Sequence, residues 1–182
     1  MRKLILIVAV HLVLGTALSW LILDWNAAEN FLVSEHEDSH PAWSPDGTHL
    51  AFSSNRNGIS TIQIISARNL PDCNLDGYDR DACFPAWSPN GRKIAYHSRK
   101  DNNLDIWIVD VATGKSTRVT DDPAPEVTPT WSPDGTQIAY ATLRDKNWDI
   151  WIKNLDDGTS MPVADTEWHE SLPAWSPDGR RI

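Results

Sequence analysis

The heptapeptide PAWSPDG begins at Pro41 and returns as PAWSPNG at Pro85, PTWSPDG at Pro129 and PAWSPDG at Pro173, 44 residues apart each time. A fixed period of this length restricts the chain to an array of one supersecondary unit. At the same offset Leu50-Ala51-Phe52 falls on Ile94-Ala95-Tyr96 and Ile138-Ala139-Tyr140. Asp105-Ile106-Trp107-Ile108 falls on Asp149-Ile150-Trp151-Ile152, with Thr61-Ile62-Gln63-Ile64 a weaker copy. Helical repeats need apolar residues at three-and-four spacing, which these segments lack, whereas a period of 44 suits a four-stranded propeller blade.

Each unit reads as four short strands separated by turn chemistry. Strand A is Pro-x-Trp-Ser and stops at Pro-Asp-Gly or Pro-Asn-Gly, where proline presets φ and glycine accepts a positive one. Strand B is the Ile-Ala-Tyr/Phe stretch, strand C is Asp-Ile-Trp-Ile, and strand D covers Thr117 to Thr120 and Met161 to Ala164. The excess of tryptophan, ten against three Phe and three Tyr, comes mainly from the repeated motif. Blades pack face to face, so Trp43, Trp87, Trp131 and Trp175 are expected between them. The expected fold is therefore an all-β propeller with a linker and first outer strand at 26–40 and blades at 41–84, 85–128 and 129–172. A truncated blade follows at 173–182, and its stop inside strand B at Arg180-Arg181-Ile182 would expose an unpaired edge, which invites association.

Residues 1–25 stand apart. Met1-Arg2-Lys3 carries cations, and Leu4 to Leu23 is an uncharged run long enough to span a hydrocarbon core of about 30 Å. Asp24, Glu29 and Glu35 follow it, so the positive-inside rule places the remainder on the periplasmic or extracellular side. Ala17-Leu18-Ser19 offers the small residues of a signal-peptide cleavage site. The length of the run, with Trp20 and Trp25 suited to a membrane interface, favours an uncleaved anchor. Sixteen Lys and Arg against 25 Asp and Glu give a net charge of −9, which argues against nucleic acid as a partner.

The repeat P-x-W-S-P-D-G-x-x-I-A-Y-x-S followed by D-I-W-I resembles the TolB-like propeller repeat, a WD-like blade of exported bacterial proteins, from Phe31 to Ile182. The chain differs from TolB proper in having three blades and the start of a fourth where about six close the ring. It also has no room for a separate domain between Trp25 and Pro41. The resemblance implies a protein- or peptide-binding module that performs no chemistry and needs no cofactor. A related resemblance, to the propeller ahead of the catalytic domain in prolyl-oligopeptidase-type serine peptidases, implies instead the gating portion of a membrane-anchored peptidase.

Candidate chemistry is sparse. His36-Glu37-Asp38-Ser39-His40 matches H-E-x-x-H, but a zinc site of that kind needs a helix, and Pro41 opens a strand at once. No G-x-S-x-G occurs, so no catalytic residue is assigned. Asp72, Asn74 and Asp76 precede Gly77 in the pattern of a calcium loop, with Asp79 and Asp81 as further oxygens. Position twelve is Cys83 rather than a closing Glu, so the segment reads as a solvated turn. Cys73 and Cys83 bracket it, and in an exported chain with no other thiols they are expected to form a disulfide. Three residues before the blade proline stand Asp38, Glu126 and Glu170; fifteen after it stand Arg56, Lys100 and Arg144. This repeated acid and base share one rim, where they either pair across neighbouring blades or attract a basic segment of a protein partner.

Overall fold

The hydrogen-bonding groups of Ser-Pro-Asp-Gly close the first turn of every unit in the same way. Ser44 O accepts from Gly47 N at 2.9 Å, while Ser44 Oγ donates to Asp46 Oδ1 at 2.6 Å and accepts from His49 N at 2.9 Å. Asp46 Oδ1 also accepts from Thr48 N at 3.0 Å. Bonds from Ser44 and Thr48 to the ionised carboxylate hold Asp46 down at about 2. The same set recurs at Ser88 with Asn90, Ser132 with Asp134 and Ser176 with Asp178. Gly47 has φ of 66°, a conformation that side chains rarely adopt.

The computed structural model describes residues 37–56, 58–66, 73–74, 81–100, 102–144, 146–164 and 167–182. They form three antiparallel four-stranded sheets, each a meander in chain order. The first contains β1 (Asp38–Trp43), β2 (His49–Ser54), β3 (Thr61–Ser66) and β4 (Cys73–Asn74). The second contains β5 (Cys83–Trp87), β6 (Lys93–Ser98), β7 (Asp105–Asp110) and β8 (Ser116–Arg118). The third contains β9 (Glu126–Trp131), β10 (Gln137–Arg144), β11 (Asn147–Asn154) and β12 (Ser160–Ala164). Residues 173–182 repeat the Ser-Pro-Asp-Gly turn, with Ser176 N donating to Arg181 O at 2.9 Å. Among the described residues no helix is long and apolar enough to cross a membrane; the expected anchor at 4–23 and residues 26–36 of the expected linker and first outer strand lie outside them.

The period-two pattern of Ile-Ala-Tyr explains how sheets stack. Ile94 and Tyr96 on β6 face the first sheet and pack with Trp107 and Val109 against Ala51, Ile62 and Ile64. Ala95, between them, faces the third sheet together with Ile106, and meets Trp131, Ile138 and Tyr140. A small residue on one face thus receives the large residues of the next blade.

The repeated tryptophan adds direction to this packing. Trp87 Nε1 donates to Ala42 O at 3.0 Å, and Trp131 Nε1 donates to Ala86 O at 3.0 Å, so each blade is tied to strand A of the one before it. Main-chain bonds join the same neighbours, with Ala82 N reaching Ser60 O at 3.0 Å and Glu126 N reaching Leu104 O at 2.7 Å. Trp175 packs on the far side of the third sheet beside Ala139, Ala141 and Ile150. Trp43 is 42% exposed.

Removing one indole donor therefore has a position-dependent effect. Trp87→Phe leaves the Ala42 carbonyl without its donor and is expected to lower stability by about 1–3 kcal/mol. Trp43→Phe is expected to cost under about 0.5 kcal/mol, because a part-exposed surface ring has little to lose. Urea unfolding of the two variants checks this, and equal losses would contradict the role given to the indole bond.

Candidate functional site

The first strands of successive blades lie side by side, β1 against β5 and β5 against β9, so they form the inner wall of the array. On each of them the pairing register shifts, between Ser39 and Ala42 on β1 and between Cys83 and Ala86 on β5. β9 pairs with a shift between Ala139 and Ala141 of β10. The residue before each blade proline absorbs the irregularity with a left-handed backbone: His40 at φ of 53°, Phe84 at 56°, Thr128 at 52° and Leu172 at 56°. None is glycine, and each such conformation costs on the order of 1–3 kcal/mol. The bulge also lets the strands begin two to three residues ahead of the proline, earlier than the Pro-x-Trp-Ser boundary expected from the sequence.

These four residues and the prolines that follow them line a hollow of about 300 Å³. Its wall is uncharged and ring-rich. The His40 and Phe84 rings stack at 3.6 Å, and Phe84 lies 5.3 Å from the ring of His97. Phe84 N donates to Ser53 Oγ at 3.2 Å, and at the equivalent place one blade on, Thr128 N donates to His97 Nδ1 at 3.3 Å. That bond requires an unprotonated Nδ1. Burial pushes His97 down to about 4, the charge of His40 adds to this, and Asp81 opposes it. His40 is lowered as well, by burial. Leu172 is 64% exposed at the edge of the hollow.

The repeated acids and bases do not form a uniform ring. Asp38 pairs with Arg56 within the first blade, at 3.1 Å. Arg144 reaches across the junction of the second and third blades, but its partner is Asp122 in the intervening connection, at 2.8 Å, rather than Glu126. Each base also lies over an aromatic ring of its own blade: Arg56 over Phe52 at 5.5 Å, Lys100 over Trp107 at 4.8 Å and Arg144 over Trp151 at 3.8 Å. Glu126 is 1% exposed. Burial is the main reason its carboxyl is pushed up to about 7; a bond from Thr120 opposes this, Asp105 and Asp122 add to it, and Arg144 opposes it. Glu170 is half-buried, with its backbone N bonded to Trp148 O at 2.7 Å.

Asp72, Asp76 and Asp79 lie outside the described residues, as does the side chain of Asn74, while Asp81 is 3.8 Å from Arg99 on the exposed surface. Cys83 is a free thiol whose Sγ stands 3.2 Å from Ser60 Oγ, so the Cys73 to Cys83 bridge is not made in this structure. The segment from Glu37 to His40 runs into β1, which removes the helix that H-E-x-x-H requires; His36 lies outside the described residues. Sequence reasoning passed over His40, Phe84, Thr128 and Leu172, although one signal was present. They vary in chemical type while the Pro-x-Trp-Ser that follows them stays constant.

Two buried ionisable groups give stability opposite pH limbs. As pH rises from about 4.5 to 7, unfolded chains release the Glu126 proton before folded ones do, so stability falls through that window by up to about 3 kcal/mol. As pH falls from 6.5 through about 4, unfolded chains bind a proton at His97 first, so stability falls again by a similar amount. Glu126→Gln is expected to raise the melting temperature at pH 8 and leave it little changed at pH 4. His97→Gln is expected to flatten the acid limb. Melting curves across this range check both, and an unchanged alkaline limb in Glu126→Gln would refute the assignment.

The family model for the dipeptidyl peptidase IV N-terminal region matches residues 99–182. Among solved structures, a putative TolB from Agrobacterium tumefaciens is 26% identical with a TM-score of 0.72, over 78% of this chain and 52% of that one. TolB from Acinetobacter baumannii is 20% identical with a TM-score of 0.69, over 81% of this chain and 37% of that one. The β-propeller domain of the trilobed protease from Pyrococcus furiosus is 18% identical with a TM-score of 0.53, over 70% and 43%. The chain thus spans about half the length of the first of these and less of the other two. No curated protein matches it. The described residues thus have the β-propeller blade fold of the TolB-like and peptidase-propeller type.

Proposed function

We propose that the chain is a non-enzymatic, extracytoplasmic module that captures a protein or peptide at the inner rim of its blades. The observation that carries this reading is the hollow itself. Four strained, non-glycine residues of different chemistry, His40, Phe84, Thr128 and Leu172, are held in one backbone conformation around it. Backbone strain of this kind persists where surrounding structure enforces it, and it concentrates at binding surfaces. The repeated Pro-x-Trp-Ser scaffold supplies that enforcement while leaving the preceding side chain free to vary. The flanking charges, largely paired with each other or set over rings, contribute orientation more than affinity. Attachment to a membrane through residues 4–23 is part of the same proposal and rests on the sequence alone.

A second reading, that the blades are the gating portion of a membrane-anchored prolyl-oligopeptidase-type serine peptidase, is favoured by the match to the dipeptidyl peptidase IV N-terminal region. A G-x-S-x-G strand-turn-helix pattern encoded downstream in the parent gene would establish it.

On an immobilised peptide array, Phe84→Ala and Leu172→Asp are each expected to weaken capture at least roughly tenfold, the scale of one well-packed contact at an interface. Melting temperatures of the two variants should stay near that of the parent. Full capture by both variants, or a loss tracking a lower melting temperature, would refute the inner-rim site.

A further inference from the structure

A second cavity, of about 230 Å³, lies between the second and third blades, outside the inner-rim hollow. Thr120, Asp121 and Asp122 close it from one side. Glu126, Tyr140, Arg144, Trp151, Lys153 and Ser160 form the other. Glu126 is 1% exposed, and among the described residues its Oε2 has no hydrogen-bond partner. Arg144 has its Nη2 on Asp122 and its guanidinium over Trp151, yet its buried Nε also has none. One cavity therefore holds an unsatisfied acceptor and an unsatisfied donor, on side chains that their neighbours already fix in place. Buried polar groups left in this state call for a complementary partner.

The two groups select the partner by what it must offer. It has to accept a hydrogen bond from Arg144 Nε and donate one to Glu126 Oε2. A carboxylate only accepts, and would set a second anion against Glu126, Asp121 and Asp122. An ammonium group or metal ion brings a positive charge against Arg144 and Lys153, with no lone pair for Nε. A carboxamide offers a carbonyl oxygen and an N–H in one plane, and the cavity is of a size for a side chain rather than a larger ligand. We infer that this cavity is a binding site for a primary carboxamide, such as an Asn or Gln side chain of a bound polypeptide, held between Arg144 Nε and Glu126 Oε2. The polypeptide source rests on the function proposed above; the carboxamide chemistry rests on the cavity alone.

The test uses the whole chain and small probes, so it can succeed or fail independently of peptide capture. Propionamide, propionate and propylammonium are titrated at millimolar concentrations at pH 8, where Glu126 is ionised and its Oε2 accepts, while the indole N–H resonance of Trp151 is followed. A saturable shift with propionamide only is expected. It should weaken at least about tenfold in Arg144→Met, which keeps a stem over Trp151 but lacks Nε. Glu126→Gln keeps an acceptor oxygen and should retain binding, whereas Glu126→Leu should lose it. Comparable shifts from all three probes, undiminished binding in Arg144→Met, or no saturable shift, meaning that the cavity holds solvent only, would each overturn the inference. Loss of peptide capture at the inner rim with propionamide binding intact would remove the polypeptide source and leave the carboxamide site standing.

Discussion

The indole N–H groups of Trp87 and Trp131, each bonded to a strand carbonyl of the preceding blade, are the contacts on which the stacking of the three sheets depends. Hydrophobic packing between sheets is tolerant of sliding, because apolar area is buried nearly as well after a small displacement. A hydrogen bond from a buried ring is not, since its donor is left unsatisfied once the geometry is lost. The alternation of Ile-Ala-Tyr brings the sheets together, and the indole bond sets where they stop. The inner wall follows from this, because the register between neighbouring first strands fixes how closely His40, Phe84, Thr128 and Leu172 approach one another.

The rim combines strain with buried titratable groups. His97 serves as a hydrogen-bond acceptor for Thr128 N only while unprotonated, and Glu126 sits where its charged form lacks solvent. Asp105 and Asp122 stand close enough to Glu126 to make that form still less favourable. His97 is therefore held neutral beside the hollow, and apolar contact rather than fixed charge dominates what the hollow presents.

Much of this architecture was legible in the sequence. The period of 44, the Ser-Pro-Asp-Gly turn and the alternation in strand B each correspond to a local rule, and each acts through neighbours close in the chain or one period away. The bulge before the blade proline was not legible. Phe84, Thr128 and Leu172 carry no propensity for a left-handed backbone, so tertiary context imposes it. The charges were legible as a repeat but not as partners. Asp38 and Glu126 occupy equivalent positions, yet one meets Arg56 at the surface while the other is covered by the connection from Thr120 to Asp122. That connection differs in length and chemistry between blades.

The indole donor and its acceptor lie 45 positions apart at both junctions, one period plus a single residue. Every junction is thus specified by two adjacent units and by no other part of the chain. Duplication or deletion of one 44-residue unit would leave each surviving junction with its own donor, acceptor and facing side chains. Recombination between repeats of such a gene would change the number of units while carrying over junctions of the kind made by Trp87 and Trp131.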